Sequence, residues 1–531
     1  MDKVIIRGRN KSDQGGGIIS GAFSLTLSTI IVKLLGLIYK VPLAAILGDE
    51  GMGYFNSAYT VYAFFYLLCT AGVPKALMIL ISEAKAKGRA TDERHIYKTA
   101  LWLFLILGIV ITVLFIILAG PLSLLIGNSK SAATMLAIAP SIVFISLAGV
   151  IRGYMSANMR LADIAISQVI EGVGKLVIGL SLAIAAARLS LPLSICSALT
   201  MLGVTFGSVA GFLYLFICSK IKIKKEKIGQ SKHEGKKRII KRIFAISIPI
   251  TVSAAIMSIT SIIDLALIMR SLESIGYTES EAASLYGNYT TLAVPMFNLA
   301  VSVITPISIV FLPTFTKAKV LEDSDLVESS ERSATELTSF VSAPIVIGMI
   351  VFAREILTLL FGGSAVNIGA PLLCLLAPAI VFSSLLMIVN TVLEASGWVK
   401  VPVISMFIGS VAKLLVSYFL ITNEEVGISG APIGTVLCYA VALLVSLIIH
   451  GVKCGGRLRL FSSLLLPYLA AAIAVIFSRL IYFRLSALLG ANLCLIIAIL
   501  IAAITYLIIS LFMGIFGKRK LKELSKYTNF N

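Results

Sequence analysis

The sequence predicts an all-α polytopic membrane protein, and three observations support this fold class. Of the 531 residues, 58% are hydrophobic and only 13% are charged, with a mean hydropathy of +1.00, whereas soluble domains average about 25% charged residues. Apolar stretches of about 20 residues, the length that a helix needs to cross a bilayer, recur along the chain. Basic residues cluster between these stretches, as the positive-inside rule describes. The net charge of +19 is therefore attributed to topology, and nucleic-acid binding is not predicted.

Fourteen transmembrane spans are predicted from the apolar stretches. They cover residues 20–46, 55–81, 97–119, 131–152, 162–187, 191–218, 243–268, 286–314, 338–361, 368–392, 400–421, 428–450, 460–482 and 488–514. An even number of spans places both termini on one side. The lysines and arginines of the two tails predict that this side is the cytoplasm, and the membrane is expected to be the bacterial plasma membrane.

The two halves of the sequence resemble each other at a fixed offset. The run APSIVF at residues 139–144 returns 238 residues later as APAIVF at residues 377–382, and the same offset maps Lys175 onto Lys413. These matches predict two parallel six-helix repeats that form two lobes. The predicted parts are an N-terminal lobe (1–219), a basic cytoplasmic linker (220–242), a C-terminal lobe (243–450), and two additional spans with a basic tail (451–531).

Five lysines are predicted inside the membrane spans. A charged side chain at the centre of a bilayer costs about 2.5–3.5 kcal/mol on insertion scales, so it is expected to face a protein interior or a wet cavity. Lys33 and Lys40 are seven residues apart and therefore share one face of the first span. The other three deep lysines are Lys75, Lys175 and Lys413.

The acids predicted at similar depth are Glu171 and Asp264. Because five lysines outnumber two acids, the balance favours a cavity that binds an anion, and phosphate is the expected anion. Structural roles compete with this hypothesis. Lys40 can extend to the outer headgroups and Lys33 can pair with a carboxylate, while Glu171 and Lys175, four residues apart, can neutralise each other. The two acids are also candidates for coupling transport to a cation.

The sequence predicts no enzymatic reaction, cofactor or metal site. It contains no phosphate-binding loop of the G-x-x-x-x-G-K-[ST] type and no His, Cys and carboxylate set with metal-ligand spacing. Transport is expected to draw on an ion gradient, the membrane potential or the gradient of the substrate itself. His450 is predicted at a span end and is assigned no chemistry, and Arg152 is predicted at a span end where interfacial solvation explains its charge.

Three runs near the N-terminus carry a family resemblance: VKLLGLIYKVPL from Val32, ILGDEGMGY from Ile46 and AGVPK from Ala71. With these runs the chain resembles the stage V sporulation protein B and polysaccharide-biosynthesis branch of the multidrug/oligosaccharidyl-lipid/polysaccharide (MOP) exporter superfamily. The resemblance implies a V-shaped pair of six-helix lobes that flips a lipid-linked glycan precursor outward. It implies membrane lipids and a lipid-linked oligosaccharide as partners, with cell-wall synthesis enzymes as further candidates.

The related MurJ lipid II flippases carry basic residues in a central cavity, and Lys33 falls at one of those positions. Tyr39 stands where the next basic residue is expected, with Lys40 beside it. Tyr66 and Thr290 fall near two further arginines of that family. The resemblance therefore implies a pyrophosphate-binding cavity in which the remaining lysines of this chain supply part of the charge.

The function predicted first is a flippase for an undecaprenyl-pyrophosphate-linked glycan, with the peptidoglycan precursor lipid II as the leading substrate. The alternatives are a flippase for a capsule, teichoic acid or exopolysaccharide unit, an ion-coupled multidrug exporter, and a non-transporting scaffold for cell-wall or spore-coat synthesis.

Overall fold

The computed structural model describes residues 11–86, 90–222, 235–320, 324–363, 366–454 and 460–513. All regular secondary structure in these ranges is helical, as predicted. The chain divides into two compact units, Met1–Ile262 (unit 1) and Ile263–Asn531 (unit 2). Most of the predicted linker 220–242 falls on residues 223–234, which lie outside the described residues, as do the basic tails at 1–10 and 514–531. The structure does not test where the four predicted parts begin and end, so these limits stay predictions.

Within its described residues, unit 1 contains seven helices and the first part of an eighth. They are α1 (Lys11–Thr70), α2 (Val73–Ala86), α3 (Ala90–Leu125), α4 (Ala132–Ile138), α5 (Ser141–Ala157), α6 (Leu161–Arg188), α7 (Leu193–Lys222) and α8 (Lys236–Ser274). A buried apolar cluster joins α2, α3, α5 and α7, with Leu77, Phe104, Ile151 and Leu215 at its centre.

Helix α1 is broken at Gly48, where the backbone has φ 65° and ψ −176°. This conformation is essentially restricted to glycine, so the sequence places the break where the first predicted span ends. The second predicted span, 55–81, is interrupted as well: α1 ends at Thr70, and α2 begins at Val73. Pro74 lies in the first turn of α2, where its missing N–H group removes no helical hydrogen bond.

Within its described residues, unit 2 contains the end of α8 and ten further helices, with one π-helical turn at Tyr289–Ala293 between the first two of them. These are α9 (Glu279–Asn288), α10 (Val294–Val320), α11 (Ser324–Val351), α12 (Ala353–Leu360), α13 (Val366–Leu376), α14 (Pro378–Ala395), α15 (Val401–Ile421), α16 (Gly430–Cys454), α17 (Leu460–Leu489) and α18 (Ala491–Phe512). When the predicted offset of 238 is added to their residue numbers, α5, α6 and α7 of unit 1 fall on α14, α15 and α16 of unit 2.

Twelve helical segments of the described residues are long and apolar enough to cross a membrane. A thirteenth is added if Ser129–Ile138, which contains α4, and Ser141–Ala157, which is α5, form one span with a bend of 44°. One of the twelve, Ile31–Lys85, has 55 residues. A straight helix of that length would extend about 82 Å, far beyond the ~30 Å core of a bilayer. Because this segment breaks at Gly48, it provides two crossings. The chain is therefore a multi-pass membrane protein, and the predicted count of fourteen is approximately right.

The two helices outside the predicted repeat, α17 and α18, pack against α11 and α12. Small residues make close approach possible, since Ala470, Ala471 and Ala474 of α17 are fully buried beside Ala343 of α11. Tyr506 of α18 donates a hydrogen bond to the backbone oxygen of Phe340 at 2.8 Å. The last two helices are thus integral to the packing of unit 2.

Candidate functional site

Lys175 lies near the middle of α6, and its ammonium group faces two tyrosine rings of α1. Its Nζ is 5.3 Å from the ring centroid of Tyr39 and 5.0 Å from that of Tyr59, within the ~6 Å range of a cation–π interaction. In the part of the chain that the structure describes, no carboxylate lies within ion-pair distance of Lys175. Aromatic faces stabilise its positive charge without neutralising it, so the charge can still attract an anion.

Glycines hold Lys175 in place by bringing α6 and α7 into close contact. A Cβ added to Gly174 would lie 2.9 Å from the Cα of Gly207, and one added to Gly203 would lie 2.9 Å from the backbone oxygen of Lys175. Carbon atoms this close overlap, so only glycine allows the two backbones to approach at this level of the helices. The close contact of α6 with α7 fixes the backbone that carries the lysine.

Lys40 shares the neighbourhood of Lys175, and the break at Gly48 sets its surroundings. Its Nζ donates a hydrogen bond to Oδ1 of Asn56 at 3.3 Å. Along a straight helix, residues 16 apart are separated by about 24 Å, so this contact requires the chain to reverse at Gly48. Lys175 contacts the rings of Tyr39, the residue before Lys40, and of Tyr59, three residues after Asn56. The structure therefore brings two of the five predicted lysines together in unit 1.

A row of tyrosines extends along α1 from this pair of lysines. Tyr59, Tyr62 and Tyr66 follow at helical spacing, with ring centroids 5.8 and 6.0 Å apart along the row. Tyr59 is 40% exposed, whereas the hydroxyl of the buried Tyr62 accepts a hydrogen bond from Ser141 at 3.0 Å. This row was not predicted, although aromatic residues at spacings of three and four in one span are a signal that the sequence contains. We call Lys40, Lys175, Tyr39, Tyr59, Tyr62 and Tyr66 the lysine–tyrosine cluster.

The expected neutralisation of Glu171 by Lys175 is not what the structure shows. The carboxylate of Glu171 accepts a hydrogen bond from Nη2 of Arg152 at 2.8 Å, and the two side chains are only 27% and 14% exposed. The expectation that interfacial solvation explains Arg152 is therefore wrong. This pairing removes the acid that could have cancelled Lys175, because Glu171 already has an arginine partner on α5.

Lys33 and Lys75 differ from the clustered lysines in that both side chains are exposed. Lys33 lies on α1 before the break at Gly48. Lys75 lies in the first turn of α2, a helix that packs on α3 and α5, and no contact among the described residues joins Lys75 to the lysine–tyrosine cluster. A binding role for these two lysines stays a prediction.

Lys413 is the counterpart of Lys175 in unit 2, and there the charge is neutralised. Its Nζ donates a hydrogen bond to Oδ2 of Asp264 at 2.6 Å, with the two side chains 17% and 14% exposed. The second oxygen, Oδ1, is buried and has no hydrogen-bond partner among the described residues. Glycines again permit close helix packing, because a Cβ on Gly434 of α16 would lie 3.3 Å from the backbone oxygen of Lys413. A cation that binds Oδ2 of Asp264 would therefore have to displace the ammonium group of Lys413.

Two further contacts between polar side chains in unit 2 were not predicted. His450 lies 2.9 Å from Glu331, and both side chains are almost completely buried, 1% and 4% exposed. Glu331 lies between the predicted spans 286–314 and 338–361, but α11 begins at Ser324 and its first turns bury this residue. The other pair joins Arg479 of α17 to Glu355 of α12 at 2.6 Å. No metal-ligating group of three or more His, Cys, Asp or Glu side chains occurs among the described residues.

These features define the class of the protein: a multi-pass membrane protein with duplicated helical units and lysines inside its spans. Residues 18–319 match the family model described as polysaccharide biosynthesis protein, and residues 324–419 match the MatE model. The chain therefore belongs to the polysaccharide biosynthesis protein family, in the stage V sporulation protein B branch of the MOP superfamily.

Relatives and solved structures agree with this assignment. The chain is 26% identical to stage V sporulation protein B of Bacillus subtilis over 425 residues, which cover 79% of this chain and 80% of the relative. It is 22% identical to the lipid II flippase MurJ of the same organism over 445 residues, covering 80% and 81% of the two chains. Its fold is similar to that of the lipid II flippase MurJ in an inward closed conformation, with a TM-score of 0.71, 17% identity, and coverage of 92% of this chain and 97% of that structure.

A second solved structure shares the fold at lower similarity. An inward-facing multidrug resistance MATE family transporter of the MOP superfamily has a TM-score of 0.64 and 16% identity, with coverage of 83% of this chain and 98% of that structure. The two matches together confirm the predicted superfamily fold.

Proposed function

We propose that the chain is a flippase that moves an undecaprenyl-pyrophosphate-linked glycan across the bacterial plasma membrane by alternating access. One observation carries this proposal: Lys175 and Lys40 place positive charge inside the membrane spans of unit 1, and Lys175 has no carboxylate partner among the described residues. A buried charge of this kind is costly, so its retention favours a substrate that is an anion. The relative MurJ, which is named a lipid II flippase, supports a lipid-linked substrate.

The chemistry of the cluster matches the parts of such a substrate. Ammonium groups bind phosphate oxygens through charge-assisted hydrogen bonds, and Lys175 and Lys40 would meet the pyrophosphate. Tyrosine rings offer an apolar face with a polar edge, on which sugar rings can stack, and the exposed Tyr59 would receive them. The prenyl tail would stay in lipid. Among lipid-linked glycans we propose lipid II first, because the relative MurJ is named a lipid II flippase.

The proposal includes an orientation with both termini in the cytoplasm, which the basic tails support. We propose transport without an enzymatic step or a cofactor, driven by an ion gradient, the membrane potential or the substrate gradient. Cell-wall synthesis enzymes are proposed as partners because they would supply and consume the glycan.

The test is to deplete the protein in its own cells and to identify by mass spectrometry which lipid-linked precursor accumulates. Accumulation of lipid II supports the first substrate. Accumulation of a capsule, teichoic acid or exopolysaccharide precursor supports a flippase with that substrate instead. An unchanged set of lipid-linked precursors contradicts the flippase proposal and favours the scaffold.

The cluster is tested in the same cells by complementation. Lys175→Ala should fail to clear the accumulated precursor, whereas Lys130→Ala should clear it. Lys130 is a suitable control because it lies in the same unit with its side chain 54% exposed and pairs with Glu50 at 3.4 Å. Full clearance by Lys175→Ala at a normal protein level would show that the cluster does not bind the substrate.

An ion-coupled multidrug exporter is the second candidate, supported by the MatE match over 324–419 and the MATE structure. The pairing of Lys413 with Asp264 counts against it, because a lysine already neutralises one of the two acids named for coupling. Lower resistance of depleted cells than of complemented cells to cationic drugs would favour the exporter. Equal resistance would favour the flippase.

A further inference from the structure

Unit 2 contains a cavity of about 300 Å³ that the lysines of the proposed function do not line. It lies where α11 ends, among α12, α13 and α17, and it is bordered by Val351, Arg354, Glu355, Asn367, Pro371 and Arg479. A volume of this size is at the small end of ligand-binding pockets. It therefore suits a compact polar group rather than a whole glycan.

Arg479 and Glu355 form the inner wall of the cavity. Nη1 of Arg479 is 2.6 Å from Oε1 of Glu355, and the side chains are 25% and 16% exposed. Nη1 has no hydrogen-bond partner among the described residues, so this contact is an ion pair and not a hydrogen bond. Rings of Phe352, Tyr482 and Phe483 surround the guanidinium group, 5.1, 5.4 and 4.7 Å from its Cζ. Arg479 thus contacts one carboxylate and three aromatic rings in the wall.

The other oxygen of Glu355 needs a partner that the described residues do not provide. Oε2 is buried and accepts no hydrogen bond there, and a buried acceptor left without a donor costs about 1–3 kcal/mol. Glu355 lines the cavity. A bound group with a hydroxyl or ammonium donor would remove this cost.

Arg354 supplies the positive charge at the exposed side of the cavity. Its Nη2 donates a hydrogen bond to Oδ1 of Asn367 at 2.6 Å, and no carboxylate in the described residues pairs with it. The first turn of α12, Ala353 to Glu355, also lines the cavity. The N–H groups of a first turn carry partial positive charge, so Arg354 and this turn together favour a phosphate.

An exposed apolar stripe on α17 runs beside Arg479. Ile473, Ile476, Leu480 and Phe483 are 56%, 56%, 61% and 61% exposed, and their spacing places them along one side of the helix. Acyl chains can lie on such a stripe while a headgroup enters the charged cavity. Arg479 lies 19 residues after Leu460, the first residue of α17, or about 28 Å along the helix. With fourteen spans and both termini in the cytoplasm, the thirteenth predicted span begins at the cytoplasmic side, so Arg479 lies toward the outer side. With that orientation, the cavity opens toward the outer leaflet.

We propose that this cavity binds the headgroup of an outer-leaflet phospholipid whose phosphodiester meets Arg354 and whose hydroxyl or ammonium donor reaches Oε2 of Glu355. Phosphatidylglycerol satisfies both requirements. Phosphatidylcholine has the phosphodiester but no such donor, and diacylglycerol has no phosphate. The site gives α17, which lies outside the predicted repeat, a role that is independent of the flippase proposal.

Native mass spectrometry of the full chain in detergent tests the site by titration with phosphatidylglycerol, phosphatidylcholine or diacylglycerol. Phosphatidylglycerol should bind tightest and diacylglycerol weakest. Arg354→Gln should weaken phosphatidylglycerol binding by about tenfold, the effect of losing one charge-assisted hydrogen bond. Arg479→Gln should weaken it by a smaller factor, because it removes the ion pair that positions Glu355. Arg332→Gln is the matched control, because Arg332 is 62% exposed on α11 and bonds to Glu336 at 3.0 Å, away from the cavity. It should leave binding unchanged.

Three outcomes would overturn the proposal. Binding of diacylglycerol as tight as that of phosphatidylglycerol would show that phosphate is not recognised. Equal binding by the parent and Arg354→Gln would place the lipid elsewhere, and this variant decides the question if Arg479→Gln does not fold. Glycerophosphoglycerol, the same headgroup without acyl chains, should compete poorly; competition as strong as that of the lipid would indicate a site for soluble phosphodiesters instead.

Discussion

Lys175 of unit 1 and Lys413 of unit 2 occupy equivalent positions in the duplicated sequence, yet their charges are handled in opposite ways. Lys413 lies 2.6 Å from Asp264, whereas Lys175 faces the rings of Tyr39 and Tyr59. Each lysine is carried by a helix that packs against its neighbour through glycines. The difference therefore lies in the partners and not in the backbone: unit 2 neutralises its lysine, and unit 1 leaves the charge available to an anion.

The comparison indicates a division of tasks within the duplicated fold. An ion pair buried in apolar surroundings contributes little net stability, but breaking it is strongly destabilising. A cation over aromatic rings is stabilised more modestly. Removing Lys413 should therefore affect folding first, and removing Lys175 should affect transport first.

The largest effect is expected for Lys413→Ala. Loss of the ammonium group leaves Asp264 charged and buried without its partner, which should lower the free energy of unfolding by about 3–5 kcal/mol. Thermal unfolding of the purified protein in detergent measures the loss. The double variant Lys413→Met with Asp264→Asn should recover most of it, and a double variant as unstable as Lys413→Ala would show that the pair is not what stabilises unit 2.

A smaller change in stability but a clear loss of transport is expected for Lys175→Met. The variant removes a cation–π contact worth about 0.5–2 kcal/mol. It also removes a charge-assisted contact to the substrate, which should slow transport by about 10- to 100-fold. Reconstituted vesicles with a labelled lipid-linked glycan measure the rate. Lys175→Arg, which keeps the charge, is the control. If Lys175→Met transports normally while Lys413→Met with Asp264→Asn does not, the assignment of tasks is reversed.

The pairing of Glu171 with Arg152 can be measured directly by double-mutant cycles. Arg152→Gln and Glu171→Gln should be coupled by about 1–3 kcal/mol, as expected for residues in contact. Lys175→Met and Glu171→Gln should be coupled more weakly than this, since the carboxylate of Glu171 is paired with Arg152 and not with Lys175. A larger coupling of Glu171 to Lys175 than to Arg152 would restore the pairing within α6 and remove the contrast between the two units.

The smallest effect is expected at the exposed ring of the lysine–tyrosine cluster. Tyr59→Ala should reduce transport by about two- to tenfold, because an aromatic contact contributes about 0.5–1.5 kcal/mol beyond burial. Tyr59→Phe keeps the ring and should transport at nearly the parent rate. Equal losses in both variants would mean that the hydroxyl, and not the ring face, meets the substrate.

Hydropathy and spacing were sufficient to predict the helical fold, the approximate number of spans and the equivalence of Lys175 with Lys413. These features depend on residues close in sequence or on a repeated pattern. The partner of each charge could not be predicted. Arg152 and Glu171 belong to different helices, and Asp264 and Lys413 are 149 residues apart, so only tertiary packing decides that they meet.

The same limit explains His450 and Glu331. His450 was predicted at the end of a span, and Glu331 lies between two predicted spans, because hydropathy describes the average of a window and not the environment of one side chain. The helix α11 begins earlier than its apolar residues suggest, and it buries Glu331 beside His450. Gly48 is the opposite case, because the break in α1 at this glycine lies two residues after the predicted end of the first span at residue 46.

The close contact of α6 with α7 has a consequence for how this protein can evolve. Gly174 and Gly207, and likewise Gly179 and Gly203, leave no room for a methyl group between the two helices. A residue larger than glycine at any of these four positions would force the two helices apart and shift the ammonium group of Lys175 by the width of a carbon atom. Divergence in substrate should therefore proceed through exposed positions such as Tyr59, which is 40% exposed, while the four glycines stay unchanged.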